Sequence, residues 1–270
     1  MPFAESPGAR LHWEPHWTGS DHDARPPLVF SMAQAVKASL FAPFYSQLSD
    51  HFRLVSYDQR GMGESEATSD SCSMEDAADD LQAVIEAAFG DEPVISMGHA
   101  SGAWVAFVHA IREPEAARAL VLCSLAGFFA PPPGLLQAGL AINPKRVEYE
   151  EYKAQLGSIY TGMNYPDTPE GDAFLREYYA ASRARSGPSW HGYAMRDVDR
   201  MRYWAKWTQP TLLLYGTHDR LGVPEHGYEL LRVLDEAELH WFYPAGHFLP
   251  REQAGPTAER IIDWTSRLEG

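Results

Sequence analysis

Two cysteines in 270 residues are too few for a disulfide framework, and Cys72 and Cys123 lie in unrelated segments without metal-ligand spacing. They read as free thiols, which points to a reducing compartment and a cytoplasmic protein. Positive charge is also scarce. The 22 Lys and Arg stand against 37 Asp and Glu, a formal net charge of −15. Such a surface repels both nucleic acid and anionic membranes, so neither is expected as a partner. No apolar run reaches the 18 residues of a membrane span, and the opening MPFAESPGARLHWEPH lacks the basic-then-apolar plan of a signal peptide. Internal repeats and low-complexity tracts are missing too. The glycine-containing stretch GMGES is too short and misplaced to cradle a phosphate, so the chain implies no cofactor.

What is present is a rhythm. Short apolar runs such as PPLVF, RLVSY, PVISMG, ARALVLC and TLLLYG alternate with segments of helical spacing such as SMEDAADDLQAVIEAAFG, SGAWVAFVHAIREP and PTAERIIDWTSRL. Ser73 followed by Glu75 and Asp76 marks a helix start, and Gly90 marks its end. ARLHWEPHWTG alternates like an edge hairpin strand. Strands that are apolar on both faces and alternate with helices predict an α/β fold with a mostly parallel central sheet flanked by helices. The length suits one large domain with an inserted subdomain. The strand rhythm stops between residues 128 and 207, in a stretch rich in proline, aromatics and helical spacing. This predicts a helical lid over 128–207 inserted into a core made of 1–127 and 208–270, since an 80-residue structureless loop does not fit a compact domain.

GHASG (98–102) follows an apolar strand and precedes a helix, which is the plan of a tight strand–turn–helix. Together with DQRGMGES, YGTHDRLGVPE and YPAGHFLPREQ, in that spacing along the chain, it resembles the motif set of the α/β-hydrolase fold superfamily. The resemblance covers nearly the whole chain. It implies that Ala100 occupies the nucleophile position, where relatives carry serine, that Asp219 is the acid and that His247 is the base. In that scheme the imidazole takes a proton, and the carboxylate fixes its tautomer and stabilises the imidazolium. The backbone N–H of Ser101 would be one oxyanion donor and the Met32–Ala33 neighbourhood the other. Here the chain departs from the pattern again, because Ser31-Met32 stands where many relatives have His-Gly. Aromatic residues of the lid, Phe128 and Trp190 among them, are candidate walls for a bulky apolar or aromatic substrate.

Three functions follow. The first is a hydrolase of an ester, lactone or C–C bond in a small molecule, with Ala100 a serine-to-alanine change. The second is a naturally serine-less, cofactor-independent lyase, isomerase, cyclase or oxygenase in which His247 and Asp219 form a general-base dyad. The third is a small-molecule binding protein without turnover.

Overall fold

The computed structural model describes residues 2–17, 24–32, 37–68, 72–125, 142–184 and 207–268. Its strands are β1 (Phe3–Ser6), β2 (Ala9–Pro15), β3 (Pro27–Ser31), β4 (Arg53–Tyr57), β5 (Glu66–Ala67), β6 (Val94–His99), β7 (Ala117–Cys123), β8 (Thr211–Gly216) and β9 (Ala237–Phe242). They form one sheet in the order β1-β2-β4-β3-β6-β7-β8-β9, with β5 on β2. From β4 to β9 the pairings are parallel, while β2 runs antiparallel to β1, β4 and β5. The stretch expected at an edge, ARLHWEP, therefore has neighbours on both sides. The edge belongs to β1, a four-residue strand too short to announce itself by alternation.

Alternate side chains leave each parallel strand toward opposite layers, as the two-residue period of a strand requires. Leu120, Leu122, Leu213 and Tyr215 pack with α2 (Met74–Phe89) and α3 (Ser101–Arg112), where Trp104 and Phe107 are fully buried. Val121, Cys123, Leu212 and Leu214 pack on the other side with α1 (Ala42–Leu48) and the C-terminal helix, through Phe44, Ile261 and Trp264. A fully buried Leu or Phe contributes about 1.5–3 kcal/mol of transfer free energy, so these two layers outweigh any single polar contact. The sequence pattern anticipated this sandwich.

Of the stretch read as a lid, the described residues carry α4 (Tyr149–Tyr160), a 3₁₀ turn at Tyr165–Asp167 and α5 (Pro169–Ala184). Tyr152, Leu156, Phe174 and Leu175 join the second layer. Trp207, whose indole N–H donates to Thr211 Oγ1 (2.9 Å), packs in the first layer as a core residue. Phe128 and Trp190 lie outside the described residues, as does Ala33.

The remaining α-helices among the described residues are α6 (Glu225–Leu231), α7 (Leu249–Glu252) and α8 (Ala254–Ser266). From β3 the chain moves to β4 on one side, and from β6 it moves to β7, β8 and β9 on the other. The strand order thus reverses between β3 and β6. In an open parallel sheet the crevice beyond the carboxyl ends at such a switch point is where ligands bind. The ends of β3 and β6 are Ser31–Met32 and His99–Ala100.

Candidate active site

The turn after β6 is tight because two glycines permit it. A methyl on Gly98 would overlap the Gly102 carbonyl and Ala103, and one on Gly102 would overlap the carbonyl oxygens of Ser31 and Met32. Between them Ala100 holds φ 53°, ψ −116°, a left-handed conformation strained for an L-residue with a Cβ. Its N–H donates to Cys123 O (2.9 Å), which ties the turn to the end of β7. Ala100 and Ser101 are half-buried, so the turn tip reaches the surface of the crevice at the positive end of the α3 dipole.

Asp219 follows β8. Its Oδ1 accepts the N–H groups of Leu221 (2.8 Å) and Gly222 (2.9 Å), and its Oδ2 lies 2.9 Å from His247 Nδ1. Both side chains are buried. Burial alone would raise the Asp219 carboxyl. The charge and hydrogen bond of His247, with the Leu221 N–H, overcome that and hold it below its usual value. An ionised carboxylate can only accept, so Nδ1 of His247 carries a hydrogen, and whenever the ring is neutral its lone pair is on Nε2. That is the tautomer of a general base.

The loop that carries His247 is fastened from several directions. Its N–H donates to Tyr160 O (2.8 Å) at the end of α4. Its carbonyl lies 2.5 Å from His99 Nε2 and accepts from Ser124 Oγ (3.2 Å). Burial first, then the proximity of His247, presses His99 down to about 3, so His99 is neutral. Facing a carbonyl, its Nε2 must be the donor, which fixes the tautomer by elimination. The His99 and His247 rings lie 5.1 Å apart, and Tyr160 meets His247 edge-on at 5.5 Å.

On the opposite wall Met32 is fully buried, and its carbonyl accepts from Gln59 Nε2 (2.8 Å). Ser31 Oγ pairs with Tyr57 Oη at 2.9 Å. The structure therefore gathers Ala100, Ser101, Met32, Asp219 and His247 at the carboxyl ends of β3, β6, β8 and β9. Sequence reasoning missed Gln59, Ser124, the Tyr160 carbonyl and the part played by His99. Their partners lie 27 to 148 positions away, so no local signal marks them.

Among the described residues no group of three His, Cys, Asp or Glu is placed to hold a metal, and no helix is long and apolar enough to cross a membrane.

Known proteins share this architecture. The enol-lactonase from Burkholderia xenovorans LB400 superposes with a TM-score of 0.82 at 21% identity, over 98% of this chain and 100% of that one. The naproxen esterase (carboxylesterase NP) from Bacillus subtilis superposes with a TM-score of 0.82 at 19% identity, over 97% of this chain and 90% of the other. In sequence, the AB hydrolase superfamily protein YisY of Bacillus subtilis is 25% identical over 239 residues, which are 82% of this chain and 84% of that protein. The polyketide synthase ThaQ of Burkholderia thailandensis is 25% identical over 253 residues, 90% of this chain but 12% of the length of ThaQ. Residues 16–260 match the model of the alpha/beta hydrolase family, so the chain belongs to that family and is an enzyme of its type.

Proposed function

We propose that the chain cleaves an ester or lactone bond in a small, largely apolar molecule, with His247 as general base and Asp219 as the residue that holds its tautomer. The observation that carries this reading is the 2.9 Å bond between His247 Nδ1 and an Asp219 carboxylate whose other oxygen is fixed by two backbone N–H groups. A buried carboxylate oriented on an imidazole serves a ring that must take up a proton. Support for the bond type comes from the enol-lactonase and the esterase that share the fold.

Ala100 offers no hydroxyl, so the attacking oxygen is that of water. His247 Nε2 takes the water's proton as its oxygen adds to the carbonyl carbon. The tetrahedral oxyanion rests on the N–H of Ser101 and on the end of β3 at Met32. Collapse of that intermediate breaks the C–O bond, and the departing alkoxide recovers the proton from His247.

In this reading Ala100 stands where a serine nucleophile would complete a Ser–His–Asp triad. The Ala100→Ser variant is expected to raise kcat on p-nitrophenyl esters and simple lactones by on the order of 10³-fold or more, with an acyl-enzyme burst. His247→Ala is expected to abolish turnover in either background. Absence of hydrolysis in Ala100→Ser, or hydrolysis indifferent to His247→Ala, overturns the proposal.

The methyl group of Ala100 itself favours a second reading, in which the dyad removes a proton from an acidic C–H or O–H of the substrate without hydrolysis. There Ala100→Ser brings no gain on esters, while His247→Ala still abolishes turnover of the acidic substrate.

A further inference from the structure

We propose that Glu252 is a positioning residue for His247: its carboxyl group clasps the loop that presents the imidazole onto the chain leaving α4, so that the base and the segment beside it keep one geometry. The proposal rests on the reading of His247 as the base.

Three hydrogen bonds converge on this side chain. Oε2 accepts the N–H of Gly162 (2.6 Å) and the N–H of Gly246 (3.0 Å), and Oε1 accepts the N–H of Phe248 (3.1 Å). Gly246 and Phe248 flank His247, so the carboxyl group holds the loop on both sides of the base. Gly162 lies two residues beyond Tyr160, whose carbonyl receives the N–H of His247 itself. The backbones meet closely enough that a methyl on Gly246 would overlap Thr161 and one on Gly162 would overlap the Pro244 carbonyl. A glutamate that merely finished the single turn of α7 would need only the bond to Phe248, four residues back. The bond to Gly162, 90 positions away, joins two separate segments.

Around the carboxyl group stand Asp219, whose charge adds to an upward push, the Tyr165 phenol, and Arg251 next to it on α7. Withdrawal from water dominates and raises Glu252 to about 7, against the three N–H groups that favour its ionised form. A glutamate released into water ionises near 4.3, so the closed clasp holds its proton more tightly than the open one. Linkage then gives the direction and the window: the clasp is tightest below a pH of about 4.3, loosens as pH rises from there to about 7, and is independent of pH above that, where the carboxyl is ionised in both states.

The test is amide hydrogen exchange at Gly162, Gly246 and Phe248 in the full chain between pH 5 and 9, divided by the intrinsic rates, with kcat and KM measured alongside on the Ala100→Ser background. Wild-type protection at Gly162 is expected to fall by up to about ten-fold per pH unit between pH 5 and 7 and to level off above 7. Glu252→Gln, a neutral isostere that still accepts, is expected to keep protection at Gly162 and Gly246, to lose the pH step and to retain most of kcat. Glu252→Ala is expected to lose protection at all three amides and to lower kcat about 10²-fold with KM within about three-fold. Protection that is independent of pH in the wild type, or a Glu252→Ala variant with wild-type protection and kcat, overturns the clasp. His247→Ala tests the base separately: if hydrolysis persists without the imidazole while the amides behave as described, the reading of the base fails and the clasp between segments stands.

Discussion

Three N–H donors converge on the Asp219 carboxylate, and each narrows what the neighbouring imidazole can do. Oδ1 is committed to the N–H groups of Leu221 and Gly222, which leaves Oδ2 for His247 Nδ1. An asparagine in the same place would keep its carbonyl oxygen toward the two backbone donors and turn its NH₂ toward His247. The imidazole would then have to accept at Nδ1 and carry its proton on Nε2, the nitrogen proposed to act as the base. Asp219→Asn is therefore expected to lower kcat by about 10⁴-fold with KM little changed, because the side chain keeps its shape and only the tautomer is reversed. Nitrogen chemical shifts of the His247 ring, read by NMR, would report the reversal directly. A variant with activity within ten-fold of its parent removes Asp219 from the mechanism. His99 makes the opposite point at the same scale. It is a buried histidine whose protonation is fixed as neutral and whose tautomer is set by a carbonyl, so it orients the His247 loop without exchanging protons.

Helix α2 shows which elements could be read from local sequence. Ser73 accepts from the Asp76 N–H (3.1 Å), and Asp76 Oδ2 accepts from the Ser73 N–H (2.7 Å), a reciprocal capping box at the position where Ser73 and the acidic pair marked a start. The helix then ends at Gly90 with φ 64°. Ser73→Ala is expected to cost about 1 kcal/mol of stability in chemical denaturation. Because α2 covers the face of the sheet opposite α1 and α8, activity should be unchanged; a loss of activity at full stability would contradict that separation. Signals of this kind act within four residues and survive in any reading of the chain. The glycines of the GHASG turn are of the same kind, since the strand and helix they join are adjacent in sequence. The position of β2 was not legible that way. Its alternation is real, but whether a strand has one neighbour or two is decided by β1, β4 and β5, the last only two residues long.

At the scale of the whole molecule, Asp219 and His247 were legible because their motifs and chain order resemble a known family. Gln59, Ser124 and Glu252 were not, since each acts through a bond to a distant backbone group. The same non-local burial governs how the molecule responds to acid. The chain carries a formal charge of −15, yet burial lowers four of its described histidines, His16 and His109 to about 4, His99 to about 3, and His240. A histidine held below its ordinary value binds fewer protons folded than unfolded. Its contribution to stability is complete above pH 6.5 and is lost as pH falls toward the folded value. Glu252, raised to about 7, works the other way in part of the same range, and falling net charge relieves self-repulsion, so the wild-type curve alone mixes several effects. His109 separates them. It lies on α3, bonded through Nε2 to Gln82 Oε1 at 2.7 Å, and burial first, then the Arg112 charge, depresses it. His109→Gln keeps a donor toward Gln82 and removes the titration. Between pH 8 and pH 5 the wild type is expected to lose about 2 kcal/mol relative to this variant, or about 5 °C in the difference of their melting midpoints. Parallel midpoint curves across that range would mean that His109 titrates in the folded protein as it does in water, and that its burial does not couple folding to pH.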